Sequence, residues 1–129
     1  MDLEVSVVSP EKVLFEGTAS YINLSGKKGA FSVLPGHAPL IAELEPGLVE
    51  VNTKLEKLSF VIDGGFVEVN SNKVSALVEG AVAAQDVKPD VESQELQELL
   101  QKTVTGDEAM RRHQAKIDVR RARIRYALS

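Results

Sequence analysis

Between Leu3 and Ala84 the apolar residues recur at every second position, in runs too short for a helix and closed by Gly, Pro or Asn. That period turns one face of each run inward and the other outward, the pattern of half-buried strands. Leu3, Val5 and Val7 alternate with Glu4 and Ser6, and Pro10-Glu11 closes the run before Val13-Leu14-Phe15. Gly17 precedes a third candidate strand, Ala19–Leu24, and Gly26-Lys27-Lys28-Gly29 supplies a tight connection into Ala30–Val33. Pro35, Pro39 and Pro46-Gly47 bracket a short strand at Leu40–Leu44. Leu58, Phe60 and Ile62 alternate again. Asp63-Gly64 predicts a hairpin turn toward Val67 and Val69, and Asn70-Ser71-Asn72 a second turn toward Val74, Ala76 and Val78. About eight to ten strands, spaced at roughly eight residues, predict an all-β sandwich or flattened barrel.

After Gly80 the period changes. Pro89 suits the first turn of a helix, and Glu92 and Glu95 complement its positive end. Leu96, Leu99, Leu100 and Val104 form an i, i+3, i+4 stripe, and Thr105-Gly106-Asp107 predicts a stop followed by an N-cap. A second helix then runs from about Glu108 to Ala127, with Met110, Ile117, Ile124 and Leu128 on one stripe. The chain therefore divides into a β-sandwich domain, 1–84, and a C-terminal antiparallel two-helix hairpin, 85–129. Helices of about 14 and 20 residues are marginal alone in water, so the hairpin needs a docking surface. The sandwich and a partner are both open as docks, which suits a switch element.

Charge follows the same division. Residues 1–106 carry 8 Lys, no Arg and 16 acids, whereas residues 107–129 carry 7 Lys or Arg against 3 acids. The net charge of −4 thus hides a cationic tail that holds every arginine. With no Cys and only two His, disulfide, thiolate and His-rich metal chemistry are not expected. No apolar run approaches the length of a spanning helix and Met1–Val8 lacks a signal-peptide core, so a soluble intracellular protein is expected. His37 has no Ser or Asp in a motif relation to it, and its loop setting predicts a ring bonded to backbone. His113 is expected to be solvated. Gly26-Lys27-Lys28-Gly29 lacks P-loop spacing. The expectation is a non-enzyme with no catalytic residue, metal or cofactor. The basic helix fits phosphate, an anionic membrane or an acidic protein surface; the acidic remainder disfavours nucleic acid, and the helix lacks the Trp and Phe of a membrane-resting face.

Several stretches together carry a family resemblance. Val7-Val8-Ser9-Pro10-Glu11-Lys12-Val13-Leu14-Phe15-Glu16-Gly17 resembles the opening of the ε subunit of F-type ATP synthases. Val33-Leu34-Pro35-Gly36-His37-Ala38-Pro39-Leu40, continuing to Leu44-Glu45-Pro46-Gly47, is similar to that family's most recognisable stretch. Gly64-Gly65-Phe66-Val67-Glu68-Val69 matches its closing strands, and Arg120-Arg121-Ala122-Arg123-Ile124-Arg125 the helix-two ending of its long, two-domain members.

The resemblance implies a non-catalytic rotor subunit coupling γ to the c-ring in proton-driven ATP synthesis. It would lie peripherally on the cytoplasmic face of a bacterial inner membrane, or the equivalent stromal side of a thylakoid, without inserting. By the same resemblance Gly26, Lys27, Lys28, Gly29, Ala30 and Phe31 form the c-ring-side turn, and Pro35, Gly36, His37 and Pro39 a structural loop on the γ side. Arg120, Arg121, Arg123 and Arg125 would meet acidic segments of β subunits when the hairpin rises, restraining ATP hydrolysis. Two departures stand out. Gly29-Ala30-Phe31-Ser32 replaces the family's frequent Gly-Glu-[Leu/Ile]-Gly. Val87-Lys88-Pro89-Asp90-Val91-Glu92 lacks the Asp, Arg and Ala with which some bacterial members bind ATP. The alternative reading is a small β-domain adaptor whose basic helix binds nucleic acid; binding to γ, or salt-sensitive binding to DNA or RNA, separates the two.

Overall fold

In the computed structural model, which describes residues 1–127, the alternating runs become ten strands. They are β1 (Leu3–Val8), β2 (Val13–Ala19), β3 (Tyr21–Leu24), β4 (Phe31–Val33), β5 (Leu40–Leu44), β6 (Gly47–Asn52), β7 (Lys57–Ile62), β8 (Gly65–Asn70), β9 (Lys73–Val78) and β10 (Ala81–Ala83). A 3₁₀ turn at Ala84–Asp86 leads to helices α1 (Pro89–Gln101) and α2 (Asp107–Tyr126). One five-stranded sheet has the order β2-β1-β9-β8-β5, the other β10-β7-β6-β3-β4. The sandwich and two-helix hairpin expected from the sequence are both present.

The inward phase of nearly every strand feeds one core. Seventeen buried residues, among them Leu3, Val5, Val7, Ile22, Leu24, Val49, Val51, Ile62, Val67 and Val74, form a continuous cluster between the sheets. Burying each large side chain contributes about 1.5–3 kcal/mol. β6, which the sequence reading does not single out, is central in its sheet, and its Val49 and Val51 are fully buried. Gly17 lies within β2 opposite Val5 rather than before a new strand, so Ala19 ends β2 and β3 begins only at Tyr21.

Asp63-Gly64 corrects a second expectation. β7 and β8 do not pair; they belong to different sheets. One ribbon, β7–β8, runs antiparallel to another, β9–β10, with β8 on β9 in one sheet and β7 on β10 in the other. Both cross between sheets at the same corner, where Asp63 N–H donates to Gly80 O (2.9 Å) and Glu79 N–H to Gly64 O (2.9 Å). A two-residue hairpin turn would fold the strand back on itself, whereas Gly64 and Gly65, at φ of 120° and 146°, bend it across the corner. The true hairpin is β8–β9, with Ser71 and Asn72 at φ of 51° and 62°, as its Asn-Ser-Asn sequence predicts. The short ladder Lys27 N–H to Glu43 O and Glu45 N–H to Ser25 O joins the sheets beside the same corner.

The hairpin packs on the outer face of the β10-β7-β6 side. Val61, Ala84, Val87 and Ala122 form a separate buried cluster, with Leu48, Val82 and Tyr126 packed against it. α2 carries the buried helical residues, Ile117 and Ala122, and α1 buries none. Val104 lies beyond the end of α1 and Leu100 is about half exposed, so the predicted leucine stripe shrinks to Leu96 and Leu99, both half-buried. Gly106, at φ of 96°, is the residue preceding α2, and Asp107 is its first residue rather than the cap. Met110 is exposed, Ile117 buried and Ile124 half-buried; Leu128 lies outside the described residues.

Candidate interaction surfaces

Three surfaces on this frame offer binding chemistry. The first is the outer face of the β2-β1-β9-β8-β5 sheet. Register places Glu43, Phe66, Leu77, Val8 and Val13 side by side across five strands. Phe66 is 54% exposed, Leu77 62% and Val13 55%, and Ile41, two residues from Glu43 on β5, is 75% exposed. An apolar row of this kind, rimmed by Glu43, Glu68 and Glu79, is what a partner-binding face looks like before its partner arrives. The sequence reading missed it. The available clue was an apolar residue in the outward phase: Phe66 between inward Gly65 and Val67, and Leu77 between inward Ala76 and Val78.

The second surface joins the two loop groups that the resemblance separates. Gly26, Lys27, Lys28, Gly29 and Phe31 line one groove together with His37, Ile41 and Glu43, enclosing about 650 Å³. Gly26 is required by close approach, since a Cβ there would lie 2.6 Å from Gly29 O and 2.9 Å from the Phe31 ring. Lys27 Nζ sits 2.9 Å from Glu43 Oε2, and that hydrogen bond, then the charge attraction, holds the ammonium above its ordinary pKa against a small desolvation penalty. Lys27 therefore stays charged throughout the neutral range. Lys28 and Ala30 are exposed on the turn. The Pro35–Pro39 loop is tied to the β8–β9 turn through Gly36 N–H donating to Asn72 Oδ1 at 2.8 Å. His37 Nδ1 lies 2.7 Å from Ala38 O, the backbone bond expected of a loop histidine.

The third surface is the basic end of α2, whose four arginines divide into pairs. Arg123 Nη2 lies 3.1 Å from Asp63 Oδ1 at the sandwich corner, and its Nη1 lies 3.4 Å from Glu92 Oε1 on α1. Arg120 reaches Glu92 Oε2 at 3.4 Å and Glu95 Oε2 at 2.7 Å. Arg121 and Arg125 are exposed and border a shallow hollow with Glu45, Pro46 and Asp118; the Arg125 guanidinium stacks 5.3 Å from the Tyr126 ring centre. In the docked hairpin only the second pair is offered to a partner. Among the described residues no cluster of His, Asp and Glu has metal-site geometry, and no helix is long and apolar enough to cross a membrane.

Residues 2–84 match the family model described as ATP synthase, delta/epsilon chain, β-sandwich domain. The ATP synthase epsilon chain of Leptospira interrogans is 41% identical over 97 residues, 74% of this chain and 76% of that protein. That of Gloeothece citriformis is 33% identical over 132 residues, spanning 100% of this chain and 96% of that protein. Among solved structures, a chain of the Euglena gracilis mitochondrial ATP synthase, from its OSCP/F1/c-ring assembly, shares the fold. Its TM-score is 0.82 at 22% identity, over 94% of this chain and 78% of that one. The sandwich match and the full-length similarity reaching through the hairpin agree: this chain belongs to the ATP synthase epsilon chain family.

Proposed function

We propose that this chain is a non-catalytic rotor subunit of an F-type ATP synthase, coupling γ to the c-ring, with a hairpin that restrains ATP hydrolysis. The observation that carries the reading is the row Phe66, Leu77 and Val13, exposed on either side of half-buried Val8, on the sandwich face opposite the docked hairpin. A family member built into a stalk needs a permanent apolar face toward its neighbour, and here that face stays open when the hairpin is down. We assign it to γ. The Gly26–Phe31 turn is assigned to the c-ring loops, with exposed Lys28 as its free charge, and the adjoining loop of Pro35, Gly36, His37 and Pro39 to the γ side. The subunit then lies peripherally at the membrane surface, held through its partners.

The hairpin's role follows from its charge. Arg121 and Arg125 are available in the docked state, release from the sandwich frees Arg123 from Asp63, and parting of α1 from α2 frees Arg120 and Arg123 from Glu92 and Glu95, so a raised and opened α2 presents four guanidinium groups to acidic β-subunit surface. The test is binding of purified subunit to cognate γ. Phe66→Glu and Leu77→Glu together are expected to abolish the complex while the β-sheet circular dichroism stays unchanged. Retained γ binding by this folded variant would exclude the face.

A further inference from the structure

We propose that Asp63, Arg123 and Glu92 form a latch that sets how often the hairpin leaves the sandwich. It works by sequestering the Arg123 guanidinium, which a released hairpin would offer to an acidic partner. The latch itself stands on geometry; its consequence for the partner rests on the functional reading above. Among the described residues Asp63 is the only sandwich carboxylate paired with the hairpin. The buried apolar packing between the two centres on the small cluster around Val61 and Ala122.

The sandwich side of the latch is preset by backbone. Asp63 N–H is held by Gly80 O at 2.9 Å, and the carboxylate fills the space where a side chain at 80 would stand. A Cβ on Gly80 would lie 2.5 Å from Asp63 Oδ2. Both carboxylate oxygens thus face Arg123 Nη2, at 3.1 and 3.4 Å. On the helical side, Glu92 bridges Arg123 and Arg120, and Glu95 closes the chain of charges. The Arg123 and Glu92 side chains are only 17% and 13% exposed, so removing one partner strands a charge away from water.

The network is also incomplete. Nε of Arg123 is buried without a hydrogen-bond partner, while Arg120 Nε and Glu92 Oε2 sit in ion pairs, at 2.7 Å from Glu95 Oε2 and 3.4 Å from Arg120 Nη1, that are not aligned as hydrogen bonds. The unmet Nε of Arg123, the residue that spans the junction, leaves the sandwich–hairpin bond weaker than a fully satisfied one, which is the property of a latch that opens. Because Arg123 cannot serve Asp63 while serving an external carboxylate, docking and partner binding compete for its charge. Two substitutions that both open the latch should therefore have opposite consequences. Asp63→Asn frees the hairpin with its arginines intact, whereas Arg123→Gln frees it with one removed.

The experiment is hydrogen exchange on the isolated full-length subunit, followed by ATPase measurement on the reconstituted catalytic complex. Asp63→Asn and Arg123→Gln are each expected to speed exchange across residues 107–126 about tenfold while the amides of β1, β8 and β9 keep wild-type rates. Gly80→Ala, which displaces the Asp63 carboxylate, should do the same to a smaller extent. Unchanged exchange in α2 for both charge variants, or equal acceleration in the sheets, overturns the latch. In the complex, Asp63→Asn should deepen inhibition and Arg123→Gln should not. Inhibition deepened equally by the two overturns the competition for charge. If exchange responds as expected and neither variant alters ATPase activity, the latch stands and the inhibitory reading of the hairpin falls.

Discussion

The sandwich and the hairpin are held by different physics. Seventeen buried side chains close one core between the sheets, whereas the hairpin meets the sandwich through four buried residues and one ion network. The first kind of contact is apolar, dry and indifferent to salt. The second is small, and its charged part weakens as ionic strength rises. One molecule thus combines a large continuous core with an appendage held on by far less.

The strongest way to break this contrast is to damage each part and compare. Ile22→Ala, in the middle of the sandwich core, should cost about 2–5 kcal/mol in chemical denaturation, by lost transfer energy plus the cavity left behind. Val61→Ala, under the hairpin, should mainly loosen α2 in hydrogen exchange and leave the sheet's unfolding nearly unchanged. If Val61→Ala lowers sheet stability as much as Ile22→Ala does, the two regions are one cooperative unit.

Truncation after Ala84 carries the contrast further. The 1–84 fragment retains every strand and the whole core cluster, and loses the cover over Val61. It should keep a cooperative thermal transition and its binding to γ, and lose all inhibition of ATP hydrolysis. An unfolded or non-binding fragment would show that the hairpin is part of the domain rather than an appendage.

Smaller effects come from the arginines, and here their division into pairs matters. Arg121→Ala with Arg125→Ala removes the exposed pair without touching the latch. At about 0.2–1 kcal/mol for each exposed ion pair, ATPase inhibition should weaken several-fold at low salt and the difference should shrink as salt rises. Alanine at Arg120, Arg121, Arg123 and Arg125 together should relieve inhibition more than any single change, although it also unlatches the hairpin. Wild-type inhibition by that quadruple variant at low ionic strength would sink the electrostatic brake. The smallest expected signal is that of ATP itself. Calorimetry should detect no micromolar binding to the isolated subunit, because Lys88 and Val91 stand where nucleotide-binding members carry Asp and Arg. Micromolar binding that is lost on Arg121→Ala would reverse that expectation.

What the sequence by itself determined is what local chemistry determines. Period-two alternation set the strands and their inward faces, Asn70-Ser71-Asn72 set a hairpin, and the change to a helical period after Gly80 set where the helices begin. The resemblance carried by residues 7–17 and 33–47 then gave the family. Tertiary structure decided everything that depends on which distant groups meet. Asp63-Gly64 has the local chemistry of a hairpin turn, yet it serves as a corner, because pairing with β9–β10 holds both ribbons across two sheets. Phe66 and Leu77 were ordinary strand residues until register aligned them with half-buried Val8 and exposed Val13 into one apolar row. The four arginines were one basic run in sequence. The helix presents them at different angles, and only the fold puts Asp63 and Glu92 within reach of Arg123 while leaving Arg121 and Arg125 in water. Pairing between residues sixty positions apart leaves no trace in local pattern, since either partner alone is only a charged residue on a surface.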